Sequence, residues 1–182
     1  MMNKKGFTLT ELIATIVILG ILMTVAIPNV LSIIERNKAL NMIEDAKKFI
    51  TEVEYLVKRD TTIELPANYE GTVISLKYLK SKTNSNLDDS PYNIKYNDNS
   101  FVLIAKKAGS YTYYATLTAI ETKPGTNQIK SNSRGIKLQN MANLNSKDYS
   151  EIILRDSAAS MVLPSINTKL LSNSVTITKV YN

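Results

Sequence analysis

Glu11 is the acidic residue that asks for an explanation. It stands directly before Leu12–Ile34, a stretch with no charged residue at all. A carboxylate placed there costs of order 3 kcal/mol in a bilayer by insertion scales, less near a helix end, so it needs a partner or a task. Other chemistry is scarce. The chain has no cysteine, histidine or tryptophan, which removes disulfides, thiolate sites, the imidazole base and the His or Cys ligands of zinc centres. Asp88-Asp89 is a candidate carboxylate pair for acid–base work, but neighbours in a loop beside Pro91 seldom converge. Asn97-Asp98-Asn99-Ser100 offers oxygens of the kind calcium takes, yet a polar turn between strands accounts for them. Leu65-Pro66 resembles a sortase signal only superficially. No catalytic, cofactor or metal site is expected, and the chain reads as a non-enzyme.

The apolar stretch must be a helix to satisfy its backbone in lipid. Leu12–Ile34 at ~1.5 Å per residue gives roughly 35 Å, enough to cross a hydrocarbon core. Lys4 and Lys5 precede it and no basic residue follows until Arg36. The positive-inside rule then puts the N-terminus in the cytoplasm and the rest outside. The run is too long for a secretory signal core, and no small-residue cleavage site follows it. A plain single-span anchor fits the length but leaves Glu11 and Gly6 without a purpose.

Lys4-Lys5-Gly6-Phe7-Thr8-Leu9-Thr10-Glu11 resembles the processing signature of type IV prepilins and pseudopilins. The resemblance covers about Met1 to Arg59. It implies that a prepilin peptidase cuts between Gly6 and Phe7 and N-methylates Phe7. It also implies that Glu11 serves filament assembly by meeting the N-terminal amine of a neighbouring subunit. Physical chemistry agrees: the cut creates an amine of pKa about 8 at a helix N-terminus, and Glu11 lies four residues on, over the same face. Thr10 departs from the bulky apolar residue usual in the family. A helical Thr can place its hydroxyl on an upstream carbonyl.

Gly20 and Pro28 mark the weakest part of the first helix. Pro28 has no N–H for the carbonyl of Thr24, and Gly20 is disfavoured by about 1 kcal/mol against Ala. In the resembling family this Gly-to-Pro segment melts within the filament, so a continuous helix is expected in the monomer.

The elements that follow form a head. Ala39, Met42, Ile43, Ala46, Phe49, Ile50, Val53, Leu56 and Val57 recur at helical spacing, with Glu44–Lys48 and Glu54–Lys58 as expected ion pairs on the other face. Residues 72–79 fit a strand or a short helix. Strands are expected at Tyr92–Tyr96, Phe101–Lys106 and Tyr111–Ile120, as an antiparallel meander with one face on the helix and one toward water. Residues 123–134 read as a polar loop. Further strands are expected at 135–138, 151–154 and 174–180. The fold class is α+β, the long helix packed on a C-terminal antiparallel sheet, as the resemblance also implies. The divisions are 1–6 (leader), 7–34 (membrane and filament core), 35–60 (amphipathic helix) and 61–182 (sheet head).

The net charge of +6 is spread out, so a solvated basic surface is expected and no specific nucleic acid. The resemblance implies a structural subunit of a pilus-like filament, serving adhesion, motility or biofilm formation. Its implied partners are other pilin subunits, the prepilin peptidase, an assembly platform and motor, and the membrane before assembly. A secretion or competence pseudopilin is equally compatible. The rival reading is a single-span anchored binding or adhesin protein that never polymerises.

Overall fold

A computed structural model describes residues 8–182; Lys4 to Phe7, with the cleavage and methylation positions Gly6 and Phe7, lie outside them. The described chain forms two compact units, residues 8–37 and 38–182. Helix α1, Leu9–Arg59, runs through both without a break at Gly20 or Pro28.

In the second unit, α1 buries Ala39, Met42, Ile43, Ala46, Phe49, Ile50, Val53 and Leu56, the stripe set by the helical spacing. Its ion pairs differ from the expected ones. Glu44 meets Lys47 at 2.6 Å rather than Lys48, and Lys48 lies 3.8 Å from Glu52. Residues 72–79 resolve into both candidates: β1, Glu70–Ser75, then α2, Leu76–Lys82. Ser75 makes the switch, its hydroxyl accepting a bond from the Tyr78 N–H at 3.1 Å as the N-cap.

The remaining elements are β2 (Phe101–Lys107), β3 (Ser110–Ala119), β4 (Arg134–Asn140), α3 (Met141–Ser146), α4 (Tyr149–Ile152), β5 (Ile153–Arg155), a 3-10 turn (Asp156–Ala159), β6 (Lys169–Leu170) and β7 (Val175–Tyr181). Their sheet has the order β5-β4-β3-β2-β1-β7-β6. All pairings are antiparallel except β1 with β7, which is parallel. Ala108 and Gly109 join β2 to β3, both at positive φ, as tight hairpins favour.

Alternation along the strands feeds two cores. Ile74, Val102, Ile104, Ala115, Leu117 and Ile136 join the α1 stripe. Val73, Phe101, Leu103, Ala105, Val175 and Ile177 face the other way and pack with Leu163, Leu170 and Leu171. The sheet face expected to meet water is therefore covered by the chain's own C-terminal segment. This is why Thr116 and Thr118 are buried. Thr116 donates its hydroxyl to the Ile136 carbonyl at 2.8 Å, and the N–H of Thr118 donates to the Ser100 hydroxyl at 3.0 Å.

The expected strand Tyr92–Tyr96 does not form. Asn93 turns to φ 58°, and the segment keeps only the isolated bridges Asp89–Lys95 and Tyr96–Ala119. Residues 151–154 divide between the end of α4 and β5. The last strand is fastened by polar contacts. Tyr181 Oη accepts from the Glu64 N–H at 2.8 Å and donates to the Thr62 carbonyl at 3.2 Å, while Lys179 pairs with Glu64 at 2.9 Å.

Candidate functional segment: the start of the long helix

Thr8 caps α1, and Glu11 completes the cap. The Glu11 Oε2 accepts from the Thr8 N–H at 2.9 Å and from the Thr8 hydroxyl at 2.8 Å. In return the Glu11 N–H donates to Thr8 Oγ1 at 3.3 Å. This is a reciprocal capping box, Thr-x-x-Glu, which satisfies two of the amides that a helix start leaves open. The spacing was legible as Thr8-Leu9-Thr10-Glu11, and reading Glu11 only through the amine hid it. The carboxylate thus sits at the positive end of the helix dipole with a local partner. Among the described residues the Thr10 hydroxyl donates to Thr8 Oγ1 at 3.3 Å; the carbonyls three and four residues upstream lie outside the described residues.

Beyond the cap, the large apolar side chains from Leu9 to Ile34 are exposed; Leu12, Ile16, Leu22 and Val25 are each more than half exposed. None of the most apolar window is buried within the chain, and the helix is long and apolar enough to cross a membrane. The polar residues on it turn inward to its own backbone. Thr15 donates to the Leu12 carbonyl at 2.8 Å and Thr24 to the Ile21 carbonyl at 2.6 Å. Asn29 donates to the Val25 carbonyl at 3.2 Å and Ser32 to the Asn29 carbonyl at 2.8 Å. Every one of these bonds closes within one helix, as a lipid environment demands.

Gly20 sits in open space: a Cβ there would meet nothing within 4 Å. Nothing among the described residues crowds that position. Pro28 also stands inside α1, which keeps its helical path to Arg59.

The weaker candidates are held by ordinary structure. Asp88 pairs with Lys80 at 2.9 Å, which holds its carboxyl below the usual range, while Asp89 is held through its backbone, in an isolated β-bridge with Lys95. Asn97 Oδ1 accepts from the Asn99 N–H at 2.8 Å and closes the turn, and Asp98 lies 3.7 Å from Lys80.

Residues 1–27 match the family model of the prokaryotic N-terminal methylation motif. Together with the long apolar helix, this match fits the signature of type IV pilins and pseudopilins. Both features suit membrane anchoring. No match was found to any curated protein or solved structure.

Proposed function

We propose that the chain is a structural, non-enzymatic subunit of a type IV pilus-like filament. A prepilin peptidase cuts after Gly6 and methylates Phe7, and an assembly platform and motor draw the subunit from the membrane into the filament. The observation that carries this reading is the methylation motif on a helix whose apolar side chains find no cover in their own chain. Moving that helix from lipid into a bundle of like helices trades one apolar surrounding for another. Packing and polar pairing then decide the outcome.

Glu11 has two roles in sequence. In the membrane-bound subunit its carboxylate caps its own helix through Thr8, which lowers the cost of keeping it at the bilayer edge. On assembly the same carboxylate receives the methylated amine of Phe7 from a neighbour. Gly20, open on all sides, leaves room for that neighbour's backbone and gives the Gly20–Pro28 segment the freedom to loosen.

Intact mass of the subunit from sheared surface fibres tests the reading. A loss of Met1 to Gly6 together with the gain of one methyl group is expected. Full-length mass in cell membranes, with no fibre-borne form, would instead identify an anchored surface protein. Glu11→Val should insert into the membrane as the wild type does but leave the fibre fraction; fibre incorporation at the native level would remove Glu11 from assembly.

A further inference from the structure

On the head, the last turns of α1 and the chain from Lys82 to Ser85, at the end of α2, line an open cavity of about 550 Å³. A second cavity of about 270 Å³ shares Tyr55, Arg59, Lys82 and Thr83 with it. Both volumes together suit a small ligand. The chemistry of the lining is sorted. Acceptors form one part: the hydroxyls of Thr51 and Thr83 already donate to the Lys47 and Leu79 carbonyls, so only their lone pairs are left. Glu52 Oε2 and Ser85 Oγ are buried with no hydrogen-bond partner, and a buried polar atom without a partner is costly.

Donors form the other part. Among the described residues, the side chains of Arg59 and Lys82 make no hydrogen bond or close ion pair, although Lys82 feels the Asp60 carboxylate, which lines the smaller cavity; each lies over a tyrosine ring, Arg59 at 5.2 Å from Tyr55 and Lys82 at 5.5 Å from Tyr78. Tyr55 remains 58% exposed. A ligand that answers all of this donates several hydrogen bonds, presents an apolar face and brings a negative group to Arg59, whose side chain pairs with no carboxylate among the described residues. A phosphate keeps at most one or two protons near neutral pH and has no apolar face, so it would leave lone pairs among Thr51, Thr83 and Glu52 unmet and Tyr55 uncovered. An acidic sugar has hydroxyls to donate, a carboxylate for the two cations and a C–H face for the ring.

We infer that this cavity is a binding site for a uronic-acid saccharide. Arg59 and Lys82 take the carboxylate. Tyr55 stacks on the ring face, and the hydroxyls of the sugar reach Thr51 and Thr83. A small turn of the Glu52 carboxylate brings its unpartnered oxygen to the ligand.

Calorimetric titration of the full chain in detergent micelles tests this, with trigalacturonate as probe and maltotriose and inorganic phosphate as comparators. Saturable binding of trigalacturonate is expected, with maltotriose weaker by about tenfold or more, the worth of one charge-assisted hydrogen bond. Phosphate should not compete. Arg59→Gln and Tyr55→Ala should each weaken trigalacturonate by about tenfold or more without a change in thermal unfolding, whereas Lys137→Ala, an exposed cation on β4, should bind as the wild type does. Absence of binding to trigalacturonate, displacement by phosphate, or wild-type affinity in Arg59→Gln would each overturn the assignment.

Discussion

One helix, α1, carries two kinds of apolar surface. Between Ala39 and Leu56 its hydrophobic residues occupy one stripe, and the chain's own sheet residues join them in a single core. Between Leu9 and Ile34 they occupy every side and stay exposed. The contrast teaches what each stretch is selected for. A one-sided stripe solves its hydrophobic problem within the chain. An all-round apolar surface defers that problem to lipid or to other helices, so its substitutions should be silent in the folded head and audible only in the membrane or the fibre.

Paired substitutions would break this contrast most sharply. Phe49 is fully buried in the head, and Phe49→Ala should cost about 3–5 kcal/mol. Leu22→Ala, on the exposed half, should leave head stability within about 0.5 kcal/mol. Urea unfolding of the full chain in detergent, followed by tyrosine near-UV circular dichroism, reads both. Equal losses would mean that the two stretches are not energetically separate.

Glycines give the next largest contrast. A Cβ at Gly135 would lie 2.8 Å from the Ala159 carbonyl oxygen and 3.1 Å from its Cα. Backbone atoms yield little, so Gly135→Ala should destabilise the head by about 1–3 kcal/mol in the same urea titration. Gly20→Ala meets open space and should strengthen the isolated helix by about 1 kcal/mol; under the proposed function, any penalty falls on fibre yield alone. A smaller effect is expected at the last strand. Tyr181→Phe removes two hydrogen bonds, to residues 62 and 64, and should cost about 1 kcal/mol; amide exchange at Glu64 should quicken in that variant.

The smallest expected effect is a pH dependence. Burial pushes the Asp45 carboxyl up, opposed by the hydrogen bond from Tyr96 Oη at 2.6 Å and by Lys48. A carboxyl whose pKa is raised by folding holds its proton more tightly in the native state. Its stabilisation is present below the unfolded value, about 3.9, and is lost as pH rises through the folded one. Asp45→Asn should flatten the fall in head stability on going from pH 4 upward, measured by urea midpoints across that range. An unchanged slope would exclude Asp45 as its source.

Local pattern made much of this readable. Helical spacing marked the buried stripe of α1, the run Phe101–Lys106 closed by the turn residues Ala108-Gly109-Ser110 marked β2, and alternation marked β3. Long-range pairing was not readable. No short window announces that β7 runs parallel beside β1, nor that residues 163–171 cover the second sheet face. Tyr92, Ile94 and Tyr96 alternate as a strand should, yet Ile94 and Tyr96 join the α1 core from a turn, because Asn93 accepts a backbone shape that breaks the run. At the helix start the motif pointed to Glu11, while the bonds that Thr8 gives it followed from a different rule, the reciprocal cap. The cavity beside Tyr55 lay beyond the sequence because its two walls are more than twenty residues apart.

The place of β7 has a consequence for biogenesis. It fills the slot between β1 and β6, yet it leaves the ribosome after every other strand. Until Val175–Tyr181 has been made, β1 presents an unpaired rim and the second core lacks two of its members, Val175 and Ile177. Synthesis must therefore reach Tyr181 before the sheet can close, and during that interval the nascent head exposes the edge and the apolar surface that chaperones and proteases recognise.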